Sequence, residues 1–213
     1  MAKNEMIVFH NADKEFHEKI DKKNLANLPH PFRLVIGSAP NSGKTNLIKN
    51  LIIHQKPNFD RIILWHIDPE TSEYDDIDVE KTETIPEIKD IDKKKKNLLV
   101  IEDVDIKSID KKSKSILDRF FGYASTHKNL SVILTAQRLY NVPVSLRSTC
   151  SHLILWKNSD AHFIRSLADL FGLKHEEVKM YILLNSNNCH DSFIFDRTGG
   201  PVIRKNLFEI LKE

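Results

Sequence analysis

Residues 32–48 read FRLVIGSAPNSGKTNLI: an apolar run, a loop of small residues, then Gly-Lys-Thr at the head of a helical pattern. A strand that feeds such a loop into a helix aims the loop amides and the unsatisfied N–H groups of the first helical turn at one spot, where the helix dipole adds positive potential. The result is an anion cradle. Its Lys and Thr match the GxxxxGK[ST] phosphate-loop pattern, with one departure: Ser38 stands where the first Gly is expected, and Gly37 falls one residue early. Ser38, Ala39, Pro40, Asn41, Ser42, Gly43, Lys44, Thr45 and Asn46 are therefore the expected contacts of an ATP triphosphate. Lys44 is expected to reach the β- and γ-phosphates, and the Thr45 hydroxyl to ligate Mg²⁺.

Moving outward, four more apolar runs follow at 61–65, 97–101, 130–135 and 152–156. Their apolarity is continuous rather than alternating, as in strands of a parallel sheet covered on both faces. Helical patterns at 44–54 and 108–127 separate them, so the chain reads as α/β with a central, mainly parallel sheet flanked by helices. The stretch 68–96 begins acidic and ends in four lysines, and reads as an exposed excursion between strands. Beyond the fifth strand, two helices at 159–171 and 175–184 break at Gly172, with Ser159 as the expected N-cap, and a hairpin over 192–203 closes the chain. Residues 1–30 read as an arm or peripheral element leading to Pro29 and Pro31, and residues 31–213 as a single domain.

Residues 95–105, KKNLLVIEDVD, deliver adjacent carboxylates at the carboxyl end of a strand, where open α/β sheets place their ligands. Neighbouring strand residues point to opposite sides, so one carboxylate can support Mg²⁺ while the other orients or deprotonates an attacking water. Glu102 is assigned to the metal and Asp103 to the water, although the usual order is Asp then Glu. Residues 130–137, LSVILTAQ, end another buried-type strand in Gln137. If that strand lies beside the phosphate-loop strand, the Gln137 amide faces the γ-phosphate and can hold the attacking water.

Lys plus Arg number 32 against 30 for Asp plus Glu, so the +2 formal charge offers no global attraction to a polyanion, and any nucleic-acid contact must be local. No run approaches the length of a membrane span, and the polar start lacks a signal-peptide core, so a soluble intracellular protein is expected. Cys150 and Cys189 stand in no metal-ligand spacing and read as buried free thiols.

Together, IGSAPNSGKT, LLVIEDVD and THKNLSVILTAQRLYNVPVSLRSTCSHLILWKN resemble the viral DNA-packaging ATPases of the FtsK/HerA superfamily. The matches run in order from about residue 32 to residue 160. This resemblance implies a P-loop NTPase of the ASCE type with an extra strand between the phosphate-loop and carboxylate strands. It also implies a homo-oligomeric ring, pentameric or hexameric, that hydrolyses ATP with Mg²⁺ to move double-stranded DNA without regard to sequence. In such rings an arginine from one subunit completes the neighbour's site, and Arg147 is the matching position, with Arg138 and Arg119 as competitors. A capsid or vertex protein is the implied partner, and the host cytoplasm at the assembly site, and the virion, the implied location. Basic candidates for DNA contact are residues 93–96 and Lys111, Lys112 and Lys114. The competing readings are a cellular FtsK/HerA pump, a P-loop small-molecule kinase and a non-hydrolysing nucleotide-dependent assembly protein.

Overall fold

A computed structural model describes residues 26, 28–37, 39–156, 161–188, 190–198, 202–206 and 209–212. The expected arm over residues 1–30, the N-cap at Ser159, and Ser38 and Cys189 therefore lie wholly or mostly outside the described residues. Among the described residues nine strands form one sheet: β1 (Arg33–Gly37), β2 (Arg61–His66), β3 (Glu80–Thr82), β4 (Asn97–Glu102), β5 (Leu130–Ala136), β6 (His152–Trp156), β7 (Ser192–Asp196), β8 (Val202–Lys205) and β9 (Glu209–Lys212). Their order across the sheet is β3-β2-β4-β5-β1-β6-β7-β8-β9. The first six in that order pair in parallel; β7, β8 and β9 add antiparallel strands at the far edge.

Continuous apolarity in the sequence becomes two-sided burial. Leu34 and Ile36 of β1, with Leu98 and Val100 of β4, face the helix α1 (Lys44–His54) and pack with its Ile48, Leu51 and Ile52. Burial of those three side chains stabilises the fold by roughly 1.5–3 kcal/mol each. The alternate residues Val35, Leu99 and Ile101 enter a second core on the other face. That face is covered by α2 (Lys111–Arg119), a π-helical turn (Phe120–Ala124) running into α3 (Ser125–His127), α4 (Val144–Thr149), α5 (Ala161–Phe171) and α6 (His175–Asn185).

Three local features depart from the sequence reading. The helix expected from residue 108 starts at Lys111, because the Asp110 carboxylate caps it by accepting the Lys112 and Ser113 amides at 2.7 and 3.0 Å. Its middle widens into the π turn, which brings the consecutive Phe120 and Phe121 together with Ala124 into the core. The stretch 68–96 is not simply an exposed excursion: it adds β3 to the sheet edge beside β2 and buries Tyr74, Ile88 and Ile91. The break at Gly172 holds as expected. Its φ of 63° supports a Schellman stop, with Leu173 N–H donating to Ala168 O at 2.9 Å.

Ahead of β1, His30 is 2% exposed and anchors the chain to β5: its Nδ1 pairs with Ser131 Oγ and its Nε2 with Asn129 Oδ1, each at 2.7 Å. Burial, with the nearby Lys96 charge, lowers its pKa to about 4 from 6.5. The unfolded ring takes up its proton near pH 6.5, the folded one only near 4, so stability present above 6.5 is lost as pH falls through that window. The full loss is about 3 kcal/mol. Between those two pH values the melting temperature should fall more steeply for the wild type than for His30→Gln; parallel curves would refute the assignment.

Candidate nucleotide site

The loop after β1 reaches α1 through two left-handed residues, Asn41 (φ 58°) and Gly43 (φ 95°). Asn tolerates that region and Gly adopts it at no steric cost. Gly43 occupies the N-cap without a side-chain cap, and no acidic residue stands in the first turn. The first intrahelical bond runs from Leu47 N–H to Gly43 O at 3.0 Å, so the preceding amides have no acceptor within the helix, and the helix carries no carboxylate of its own in that turn. Lys44, 9% exposed, curls back so that its Nζ donates to Ala39 O at 3.0 Å.

Strand β5 lies between β1 and β4, in register with both: Ile36 and Gly37 pair with Thr135 and Ala136, and Ile101 with Leu134. The carboxyl ends of three neighbouring strands therefore converge beside the loop. A cleft of about 720 Å³ is lined there by Pro40, Asn41, Gly43, Lys44, Thr45, Asn46, Glu102, Asp103 and Gln137, all expected from the sequence. Of the remaining expected residues, Ala39 holds Lys44, Ser42 lines a smaller adjoining cavity, and Arg147 lies outside the cleft with its Nε donating to Val142 O at 3.1 Å.

Glu102 is 1% exposed and held from two sides: Thr45 Oγ1 donates to Oε1 at 2.8 Å, and the Tyr74 hydroxyl donates to Oε2. Burial raises its pKa, and Asp103 and Glu73 push the same way, against the two hydroxyl donors. Asp103 differs from the strand geometry expected of it. It takes a left-handed φ of 54°, its amide donating to Thr135 Oγ1 at 3.4 Å, so the chain leaves the strand and both carboxylates face the same cleft rather than opposite sides. Its carboxylate is half exposed and 3.8 Å from His66 Nε2.

Five cleft neighbours were not signalled by any motif: Lys49, Glu73, whose Oε2 accepts from Thr45 Oγ1 at 3.4 Å, Tyr74, His66 and His190. The one local cue was a lone aromatic, Tyr74, inside an acidic run. The two lysine clusters also separate. Residues 93–96 precede β4, whereas Lys111, Lys112 and Lys114 lie on α2, beyond the loop that leaves the carboxyl end of that strand. Lys96 is in addition buried, donating to Pro57 O at 2.7 Å. Only the second cluster stands at the cleft end of the sheet.

Hard oxygen donors suit Mg²⁺, and the 2.8 Å between Thr45 Oγ1 and Glu102 Oε1 is close to the roughly 3 Å edge of an octahedron with 2.1 Å bonds. The two residues fit that ion as neighbouring ligands.

A glycine-turned loop at the head of α1, the strand β5 inserted between β1 and β4, and carboxylates at the end of β4 define the P-loop NTPase fold. The chain belongs to the poxvirus A32 protein family, whose sequence profile matches residues 74–196. Among solved structures it is similar to B204, the DNA-packaging ATPase from Sulfolobus turreted icosahedral virus (TM-score 0.61, 18% identity, covering 83% of this chain and 97% of that one). It is also similar to the genome packaging NTPase B204 from Sulfolobus turreted icosahedral virus 2, in complex with AMP (TM-score 0.63, 18% identity, 82% and 96%) and with ATP-γS (TM-score 0.57, 19% identity, 82% and 96%). At these identities the likeness is one of fold. No curated protein matches the chain.

Proposed function

We propose that this chain is a Mg²⁺-dependent ATP hydrolase that moves double-stranded DNA during viral genome packaging, as one subunit of a homo-oligomeric ring. The observation that carries it is the direct Thr45–Glu102 contact in a cleft that also holds Lys44, Asp103 and Gln137. Family membership and the B204 likeness support the packaging role.

In this reading the amides at the head of α1 hold the triphosphate, and Lys44 exchanges Ala39 O for β- and γ-phosphate oxygens. Thr45 and Glu102 would hold Mg²⁺, which would supply neutralisation of the charge on the triphosphate. The Gln137 amide holds the attacking water in line with the γ-phosphorus. Asp103, at the open side of the cleft, accepts the water proton as the new P–O bond forms and the bond to the bridging oxygen of ADP breaks. DNA runs past the exposed Lys111 and Lys112 at the head of α2 and meets them through its phosphates, which gives sequence-independent grip. The same reading has the ring dock on a capsid or vertex protein at the cytoplasmic assembly site.

Phosphate release should require Mg²⁺ and rise several-fold on addition of double-stranded DNA of unrelated sequences. Hydrolysis by the assembled protein that is indifferent to DNA would remove the motor reading.

A further inference from the structure

Glutamate ends in a broad, roughly two-fold torsion, so one hydrogen bond leaves the plane of its carboxylate free to swing. The hydroxyl of Thr45 occupies only Oε1 of Glu102. The other oxygen is gripped by Tyr74, which is fully buried and reaches it from a single 3₁₀ turn (Ser72–Tyr74). That turn is strapped from two sides, to α1 through Lys49 and to β3 through Lys81. Lys49 Nζ pairs with Asp76 at 2.5 Å and donates to Glu73 O at 3.0 Å, while Lys81 ties Thr71 O and Asp75 at 2.6 Å each. Tyr74 is thus held by the helix that carries Thr45, and it fixes a carboxylate on the strand opposite.

We propose that Tyr74 is a positioning residue for the metal: by holding Glu102 Oε2, it locks Oε1 toward Thr45 and presets the pair of oxygens that takes Mg²⁺. The proposal rests on the reading of Thr45 and Glu102 as metal ligands. Tyr74 itself touches neither the ion nor the nucleotide and acts through Glu102.

The test is equilibrium binding of a fluorescent, non-hydrolysable ATP analogue while Mg²⁺ is titrated. Tyr74→Phe keeps the ring and removes the hydroxyl, and a hydrogen bond to a charged group is strong enough that the Mg²⁺ half-saturation should rise about tenfold. Metal-free affinity for the analogue, which reports the folded phosphate loop, should be unchanged. In a Glu102→Gln background the same substitution should add little, because its route of action is gone. A Tyr74→Phe protein that matches the wild type in Mg²⁺ response, loses metal-free binding, or adds its full effect to Glu102→Gln overturns the proposal. A wild-type affinity indifferent to Mg²⁺ sinks the metal assignment and this proposal together. A wild type that binds the Mg²⁺–analogue complex yet never hydrolyses ATP removes only the catalytic reading.

Discussion

Replacing Lys44 with alanine is expected to lower Mg²⁺-dependent ATP hydrolysis at least a hundredfold, about 2.7 kcal/mol of transition-state stabilisation. The two lysines that line the cleft are not equivalent: Lys49 is engaged by Asp76 and Glu73 O, whereas among the described residues Lys44 Nζ donates to the neutral Ala39 carbonyl and to no carboxylate. A phosphoryl oxygen is a better acceptor for an ammonium than a neutral carbonyl, and the charge that develops on the transferring group strengthens the contact further. Losing one hydrogen bond to a loop carbonyl costs the fold little, so the melting temperature should stay within a few degrees while turnover collapses. Steady-state phosphate release with a parallel thermal melt separates the two. Turnover within tenfold of wild type would show that the loop does not bind the triphosphate as proposed.

How much of this was legible in the sequence depended on whether a feature repeats along the chain. Five strands and α1 could be read because runs such as LVI at 34–36 and LLVI at 98–101 are long enough to demand two covered faces. Strand β3, with only three residues, and the 3₁₀ turn that carries Tyr74 have no period to detect, and the buried Tyr74 sits among charged neighbours in the sequence. The left-handed turn at Asp103 was hidden for a different reason: alternation along a strand holds only while the strand continues, and β4 ends at Glu102.

Gln137 shows how topology gives meaning to a residue that sequence alone leaves ambiguous. A glutamine after a strand is ordinarily a loop residue, and the role expected of Gln137 hung on one condition, that its strand lie beside the phosphate-loop strand; β5 pairs with β1, with Ala136 opposite Gly37. The lysines show the converse. Clusters that flank one strand in the sequence are separated by the length of that strand, 93–96 ahead of β4 and Lys111, Lys112 and Lys114 on the helix beyond it.

Mixing two individually inactive variants, Arg147→Ala and Glu102→Gln, should restore ATP hydrolysis. Within one chain Arg147 lies outside the cleft, tethered to Val142 O, one turn into α4 from its Pro143 cap. Lys49 is engaged by its own acidic neighbours, so if the cleft binds ATP as proposed, Lys44 is the one lining cation among the described residues left for the triphosphate, and charge developing on the far side of the phosphoryl group would need another source of compensation. A guanidinium delivered by the next subunit would supply that compensation, and arginines in this role are worth about a thousandfold or more in turnover. Each single variant should therefore fall by about that factor: one lacks the donated cation at every interface, the other the metal-side carboxylate in every cleft. In a randomly mixed ring at equal ratio, about a quarter of interfaces join an intact Glu102 cleft to an intact Arg147, because each head-to-tail contact draws the two residues from different subunits. Hydrolysis near that fraction of wild type, rising and falling with the mixing ratio, is the expected result. Mixtures that stay as inactive as their components at every ratio would place Arg147 outside the neighbour's chemistry and return Arg138 and Arg119 to contention.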